Sequence, residues 1–340
     1  MAKDPPGGPG RGAPPRVCIV TPALPAANNG NAHTASRWAG FLSAHADVEV
    51  ALDWDGAPCD AMIALHARRS APAIARFAAA HAKNAPLALV LTGTDLYLDL
   101  AQGDGEARHS MECASIVVVL QSAALDRLDV AARAKARVVV QSAAAVRLDR
   151  RAADPEFVAV GHLRDVKDPA TLMRAAARLA VDEPAASIAH IGAGLDAALA
   201  AQAVATAIAC HGYRWLGALP HAVARRTIAR ARALVHPSRM EGGANVVIEA
   251  VRSGVPVLAS RIDGNLGLLG ADYDGTFAVG DDAALAALMR RFRHDRAFAA
   301  HVAVQCAARE PLFRPACERA AVRGLLRDLL ADRAAAALRE

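Results

Sequence analysis

The sequence predicts an α/β protein of two domains, each built on a parallel sheet. Three observations carry this reading. The chain has 340 residues, more than one core of ordinary size needs. Short apolar runs alternate with helical patterns, and the alternation restarts after a charged, turn-like stretch at 147–155. Most of the runs end in loops of glycine, asparagine, threonine or histidine, as expected where the carboxyl edge of a parallel sheet meets a ligand.

In the first half, Val17-Cys18-Ile19-Val20-Thr21 reads as the opening strand. Its loop carries Asn28, Asn29, Gly30 and Asn31, and the next helix presents Trp38, Phe41 and Leu42 on one face. Further strands are expected at Val48–Leu52, Ala61–Leu65, Leu87–Leu91, Ser115–Leu120 and Arg137–Val140. His66-Ala67-Arg68-Arg69-Ser70 is a basic cluster at a strand end, suited to an anion or to a solvated turn. Thr92-Gly93-Thr94-Asp95 follows another strand. Thr94 and Asp95 fit two roles there: capping the next helix, or facing an acceptor that Asp95 orients or deprotonates.

In the second half, Phe157–Val160 leads into Gly161-His162-Leu163-Arg164-Asp165-Val166-Lys167. Gly192-Ala193-Gly194-Leu195-Asp196-Ala197 has the outline of a dinucleotide fingerprint. The acidic residue such a site needs about twenty positions on is missing, so it is read as a tight turn. Leu216 ends the next strand, and Arg225, Arg226 and Arg230 lie on a solvated helix face. Then come the strand Ala233–His236 and the stretch SRMEGGANVVIEAVRSGVPVL, residues 238–258. Gly242, Gly243, Ala244, Asn245 and Val246 form a loop and helix start. Its unpaired N–H groups and positive dipole end suit a phosphate. Asp263, Gly264 and Asn265 follow a strand expected at Val255–Leu258 and face the same side. The chain divides into a disordered tail at 1–15, domains at 16–150 and 151–312, and a helix at 313–340 that crosses back to the first domain.

The net charge of +5 favours anionic substrates, and no motif of interleaved basic and aromatic residues points to nucleic acid. No apolar run is long enough to span a membrane and no signal peptide is visible, so a cytoplasmic protein is expected. The six scattered cysteines suggest neither disulfides nor a metal site, and no Asp-x-Asp pair invites a metal ion.

Glu241 and Glu249, eight positions apart, stand between His236-Pro237-Ser238 and Gly254-Val255-Pro256-Val257. This pattern resembles the Glu-x7-Glu signature of the retaining glycosyltransferases of family four, which have the GT-B architecture. The resemblance implies two Rossmann-like domains whose parallel sheets face each other across a cleft. It implies catalytic roles for Glu241, Lys167, His162 and Asp95. It places the nucleotide-sugar donor on Gly30, Arg164, Leu216, Gly242, Gly243, Ala244, Asn245, Val246, Glu249, Asp263, Gly264 and Asn265. It implies no cofactor and no metal. Lys167 matches the lysine that helps hold the diphosphate; the family arginine five positions earlier is here His162, with Arg164 two residues on.

Several stretches also resemble the selenosugar synthases of selenoneine biosynthesis: Asn28 to Asn31, His66 to Ser70, Leu91 to Tyr97, Val160 to Arg164 and Ser260 to Asn265. That resemblance implies transfer of N-acetylglucosamine or glucose from a UDP-sugar to selenophosphate. A carbon–selenium bond forms, giving a 1-selenosugar, UDP and phosphate. The acceptor would lie on Asn28, Asn29, Asn31, His66, Arg68, Arg69 and Thr94, with coupling to other enzymes of the pathway. The other readings are an O-glycosyltransferase with a hydroxyl acceptor and a non-catalytic nucleotide-sugar-binding protein.

Overall fold

The computed structural model describes residues 13–24, 29–81 and 85–337, with side chains up to 331. Asn28 and most of the expected tail lie outside these residues. The first sheet contains β1 (Arg16–Val20), β2 (Asp47–Ala51), β3 (Ala61–Leu65), β4 (Leu87–Leu91), β5 (Ile116–Val119) and β6 (Ala136–Val138). The second contains β7 (Phe157–Val160), β8 (Ile188–Ile191), β9 (Tyr213–Trp215), β10 (Ala233–His236), β11 (Val257–Ser260) and β12 (Thr276–Phe277). All pairings are parallel. AMIAL in β3 and LALVL in β4 are buried along their whole length, because helices cover both faces of the sheet.

The helices of the first domain are α1 (Gly30–Leu42), α2 (Ala71–Ala80), α3 (Gly105–Cys113) and α4 (Val130–Ala134). Those of the second are α5 (Pro169–Asp182), α6 (Ala197–Ala209), α7 (His221–Arg230), α8 (Asn245–Arg252), α9 (Asp263–Leu269), α10 (Asp282–His294) and α11 (Arg296–Arg309). The last helix is α12 (Pro315–Ala337).

Strand order is β2-β1-β3-β4-β5-β6 in one sheet and β12-β11-β10-β7-β8-β9 in the other. The chain therefore reverses direction across the sheet between β1 and β3, and again between β7 and β10. Such switch points open a crevice at the carboxyl ends of the strands, where ligands of this architecture sit. The loops after these four strands hold most of the residues the sequence singles out.

Two local expectations are refined. β11 begins at Val257 rather than at Val255. Val255 N–H donates to Ala250 carbonyl and closes the end of α8, and Pro256 brings no N–H to the ladder. The turn of Gly192 to Ala197 rests against the loop after β7: a side chain at Gly192 would meet the Gly161 carbonyl at 1.9 Å.

α12 packs on α1, β3 and β4, and Val322, Leu325, Leu326 and Leu329 join the core of the first domain. The buried carboxylate of Glu318 anchors it. It accepts from Arg37 Nε (2.7 Å), Trp38 Nε1 (2.7 Å), Ser142 N (2.8 Å) and Ser142 Oγ (2.6 Å). Removing it strands these donors around an unfilled pocket. Glu318→Ala is expected to lower stability by about 3 kcal/mol, and Glu318→Gln by less, both measured by thermal or urea denaturation.

Candidate functional site

The carboxyl edges of the two sheets meet. A side chain at Gly93, after β4, would lie 2.7 Å from the Gly242 nitrogen, and one at Gly242 would lie 2.5 Å from the Thr92 carbonyl. Only glycine admits this approach of backbones, and Gly93 also has φ +134°. Gly30 faces Asn245, and Gly267 leaves room for Gln121. Arg127 Nε reaches Asp263 Oδ2 at 2.6 Å and ties the two domains across the cleft.

Glu241 lies at the centre. It sits in the loop between β10 and α8, nearly buried, and Lys167 Nζ donates to its Oε1 at 2.5 Å. His236 Nε2 is 3.3 Å from the same oxygen, an ion-pair distance without hydrogen-bond alignment. Burial is the largest single influence on this carboxyl and opposes its charge. Lys167 and His236 together outweigh it and hold Glu241 well below the usual carboxylate range. The loop is fixed from below: Ser260 Oγ donates to Ser238 carbonyl at 2.5 Å, and Asn265 Nδ2 donates to Ser260 carbonyl at 2.9 Å. It is fixed from the side by Arg239, whose Nη2 donates to Asp168 Oδ1 at 3.2 Å. Asp168 is itself held at φ +45° at the N-cap of α5.

Glu249 projects from α8 and is also nearly buried. His221, at the start of α7, meets its Oε1 at 2.6 Å, with Arg225 Nε at 3.8 Å. The His221 ring stacks on His33 of α1 in the other domain, with centroids 4.3 Å apart. His162 Nδ1 accepts from Ala193 N–H at 3.0 Å, which orients its ring. Arg164 and Leu216 are exposed in the loops after β7 and β9. Gly242, Gly243, Ala244, Asn245 and Val246 form the entry to α8.

Several expected residues have other work. Asp95 does not face an acceptor. It is fully buried, and its oxygens accept from the backbone N–H groups of Ala67 (3.0 Å), Thr92 (2.9 Å), Gly93 (2.8 Å) and Leu96 (3.1 Å). Arg68 is turned to Asp99 Oδ1 at 2.9 Å and Asp104 Oδ2 at 3.8 Å. Asp263 is spent on Arg127, Asn265 on Ser260, and Gly264 makes room for the Glu241 carbonyl. Asn29 caps α1 through Ala32 N–H at 3.1 Å, and Asn31 is half-buried on that helix. His66 and Thr94 touch each other, and the Arg69 side chain is exposed beside them. Sequence reasoning missed His236, Arg239, His221 and His33. Only the position of His236 at a strand's carboxyl end signalled it.

Residues 143–308 match the family model of glycosyl transferases group 1. The matched stretch contains His162, Lys167, Glu241 and Glu249. Among solved structures, HepE of Anabaena in complex with UDP and glucose is similar at a TM-score of 0.71 and 16% identity. The match covers 92% of this chain and 100% of that one. The pneumococcal O-GlcNAc transferase GtfA in complex with UDP and GlcNAc matches at 0.63 and 15%, covering 79% and 57%. TarM of S. aureus matches at 0.61 and 14% over 78% of this chain, which spans 56% of TarM's length. The fold is the two-domain GT-B architecture.

The ion pair makes a prediction about acid. Because folding lowers the pKa of Glu241, its contribution to stability is fully present above its ordinary value of 4.5 and declines as the pH falls below it. Thermal midpoints of wild type and Glu241→Gln should therefore differ most at neutral pH and converge toward acid. A gap that stays constant with pH would contradict this.

Proposed function

We propose that the protein is a glycosyltransferase that takes its sugar from a UDP-sugar. The observation that carries this is the Lys167–Glu241 pair at the switch point of the second sheet, beside the N-terminus of α8. Solved structures of the same fold hold UDP with glucose or GlcNAc, which supports the choice of nucleotide.

In this reading each group has a physical task. The Lys167 ammonium has three N–H donors; one serves Glu241 and the others take a diphosphate. The open N–H groups of α8 add partial positive charge where negative charge grows on departing UDP. His162 contributes a single donor where an arginine would bring a permanent charge. Glu249 accepts hydrogen bonds from the ribose diol, held in place by His221. Glu241 sits under the sugar, kept ionised by Lys167 and His236.

The acceptor is selenophosphate. Asp95 is engaged by the backbone, so the acceptor-side loop offers no carboxylate base, and an acceptor that arrives deprotonated needs none. The close contact of Gly93 with Gly242 suits a small acceptor, and the exposed Arg69 suits an anionic one. A selenium lone pair forms the C–Se bond at the anomeric carbon while the C–O bond to UDP breaks, its electrons leaving with UDP. Water then cleaves the P–Se bond and releases phosphate.

The test is turnover of UDP-N-acetylglucosamine or UDP-glucose with freshly made selenophosphate, followed by mass spectrometry. UDP and 1-selenosugar are expected to appear together, and only when donor and acceptor are both present. UDP formed only when a hydroxyl acceptor is supplied would refute selenophosphate. No UDP from either donor would refute the glycosyltransferase.

A further inference from the structure

His66 stands out twice. It is one of two described residues other than glycine with positive φ, at +75°, and the other is Asp168 of the opposite switch-point loop. A left-handed backbone at a non-glycine residue is strained and persists only where surroundings hold it. Here they hold the ring as well. His66 is 3% exposed. Its Nδ1 accepts from Arg69 N–H at 3.3 Å, and the nearest carboxylate oxygen, Asp95 Oδ2, is 4.0 Å away, beyond hydrogen-bond reach. Its Nε2 lies 3.0 Å from Thr94 Oγ1.

These contacts assign the protons. An Nδ1 that accepts a backbone N–H carries no hydrogen, so the neutral ring bears its proton on Nε2. Nε2–H then donates to Thr94, whose oxygen is the acceptor. The Thr94 hydroxyl proton is left to be donated elsewhere. The Thr94 hydroxyl has no other hydrogen-bond partner among the described residues and does not cap the turn that follows it. It adjoins Gly93, which touches Gly242 beside Glu241. Burial keeps the ring neutral, outweighing the pull of Asp95 and Asp99 toward the charged form, with Arg69 and Arg68 acting in the same direction as burial.

We infer that His66 is a positioning residue that fixes Thr94 as a hydrogen-bond donor into the cleft, toward an electronegative atom of the bound sugar or acceptor. The use of that donor rests on the glycosyltransferase reading; the proton assignment does not. Asp95 serves the same end, since it pins the His66–Ala67 turn and the Thr92–Leu96 turn to each other.

Two arms test it. The first is nitrogen NMR of histidine-labelled full-length protein at neutral pH, with His66 assigned by its loss in His66→Asn. A ring protonated on Nε2 and bare on Nδ1, with the Nε2 signal shifted in Thr94→Val, is expected. A proton on Nδ1 overturns the inference whatever the activity. The second arm is kinetic, on UDP-glucose with selenophosphate. Thr94→Val and His66→Asn should each lower kcat about tenfold, as loss of one directed hydrogen bond implies. Asparagine tolerates the left-handed backbone, and Thr94→Ser should retain most of the rate. In the Thr94→Val background, His66→Asn should cost less than about twofold further, because the two act as one unit. Equal losses in both backgrounds overturn the inference.

Discussion

A buried carboxylate needs a counter-charge, and Glu241 receives it from a different loop. Lys167 follows β7 and Glu241 follows β10, and the two strands are neighbours only because the chain changes direction between them. The pair is therefore a product of topology. The charge of one residue is tolerable only while the other loop is in place, and that requirement sets the positions of Asp168, Arg239, His236 and Ser260 around it. The same arrangement sets the Lys167 ammonium and the N-terminus of α8 in neighbouring loops.

The cleft itself is built from absences of side chains. Gly93 against Gly242 and Gly30 against Asn245 bring the sheets' carboxyl edges into contact, and Arg127 with Asp263 adds one charged tie. The stacked rings of His33 and His221 connect the first domain to Glu249 by a second route. Contact at several separate points orients both domains about one seam. α12, through Glu318, is tied to α1 and to Ser142, so the seam does not carry the connection alone.

The sheet strands were legible because helices bury both faces of the sheets, which leaves unbroken apolar runs such as those of β3 and β4. The Glu241 and Glu249 spacing was legible for a related reason: a loop and a short helix fix their separation within one stretch of chain. Asp95 was not legible. The same aspartate after a strand can face a cleft or gather backbone N–H groups, and only the fold of the loop decides which way its oxygens turn. The partners of Arg68 were not legible either, because Asp99 and Asp104 lie on other turns. His33 with His221 and Glu318 with Trp38 depend on pairings between distant parts of the chain, on which local pattern is silent.

If the Lys167–Glu241 pair marks a nucleotide-diphosphate site, titration calorimetry of UDP against the intact protein should detect binding. Lys167→Met, which keeps the length of the side chain and removes its charge, should weaken that binding at least about tenfold, the loss of a charge-assisted contact. Equal affinity in both proteins, or no binding of UDP by the wild type, would contradict the account.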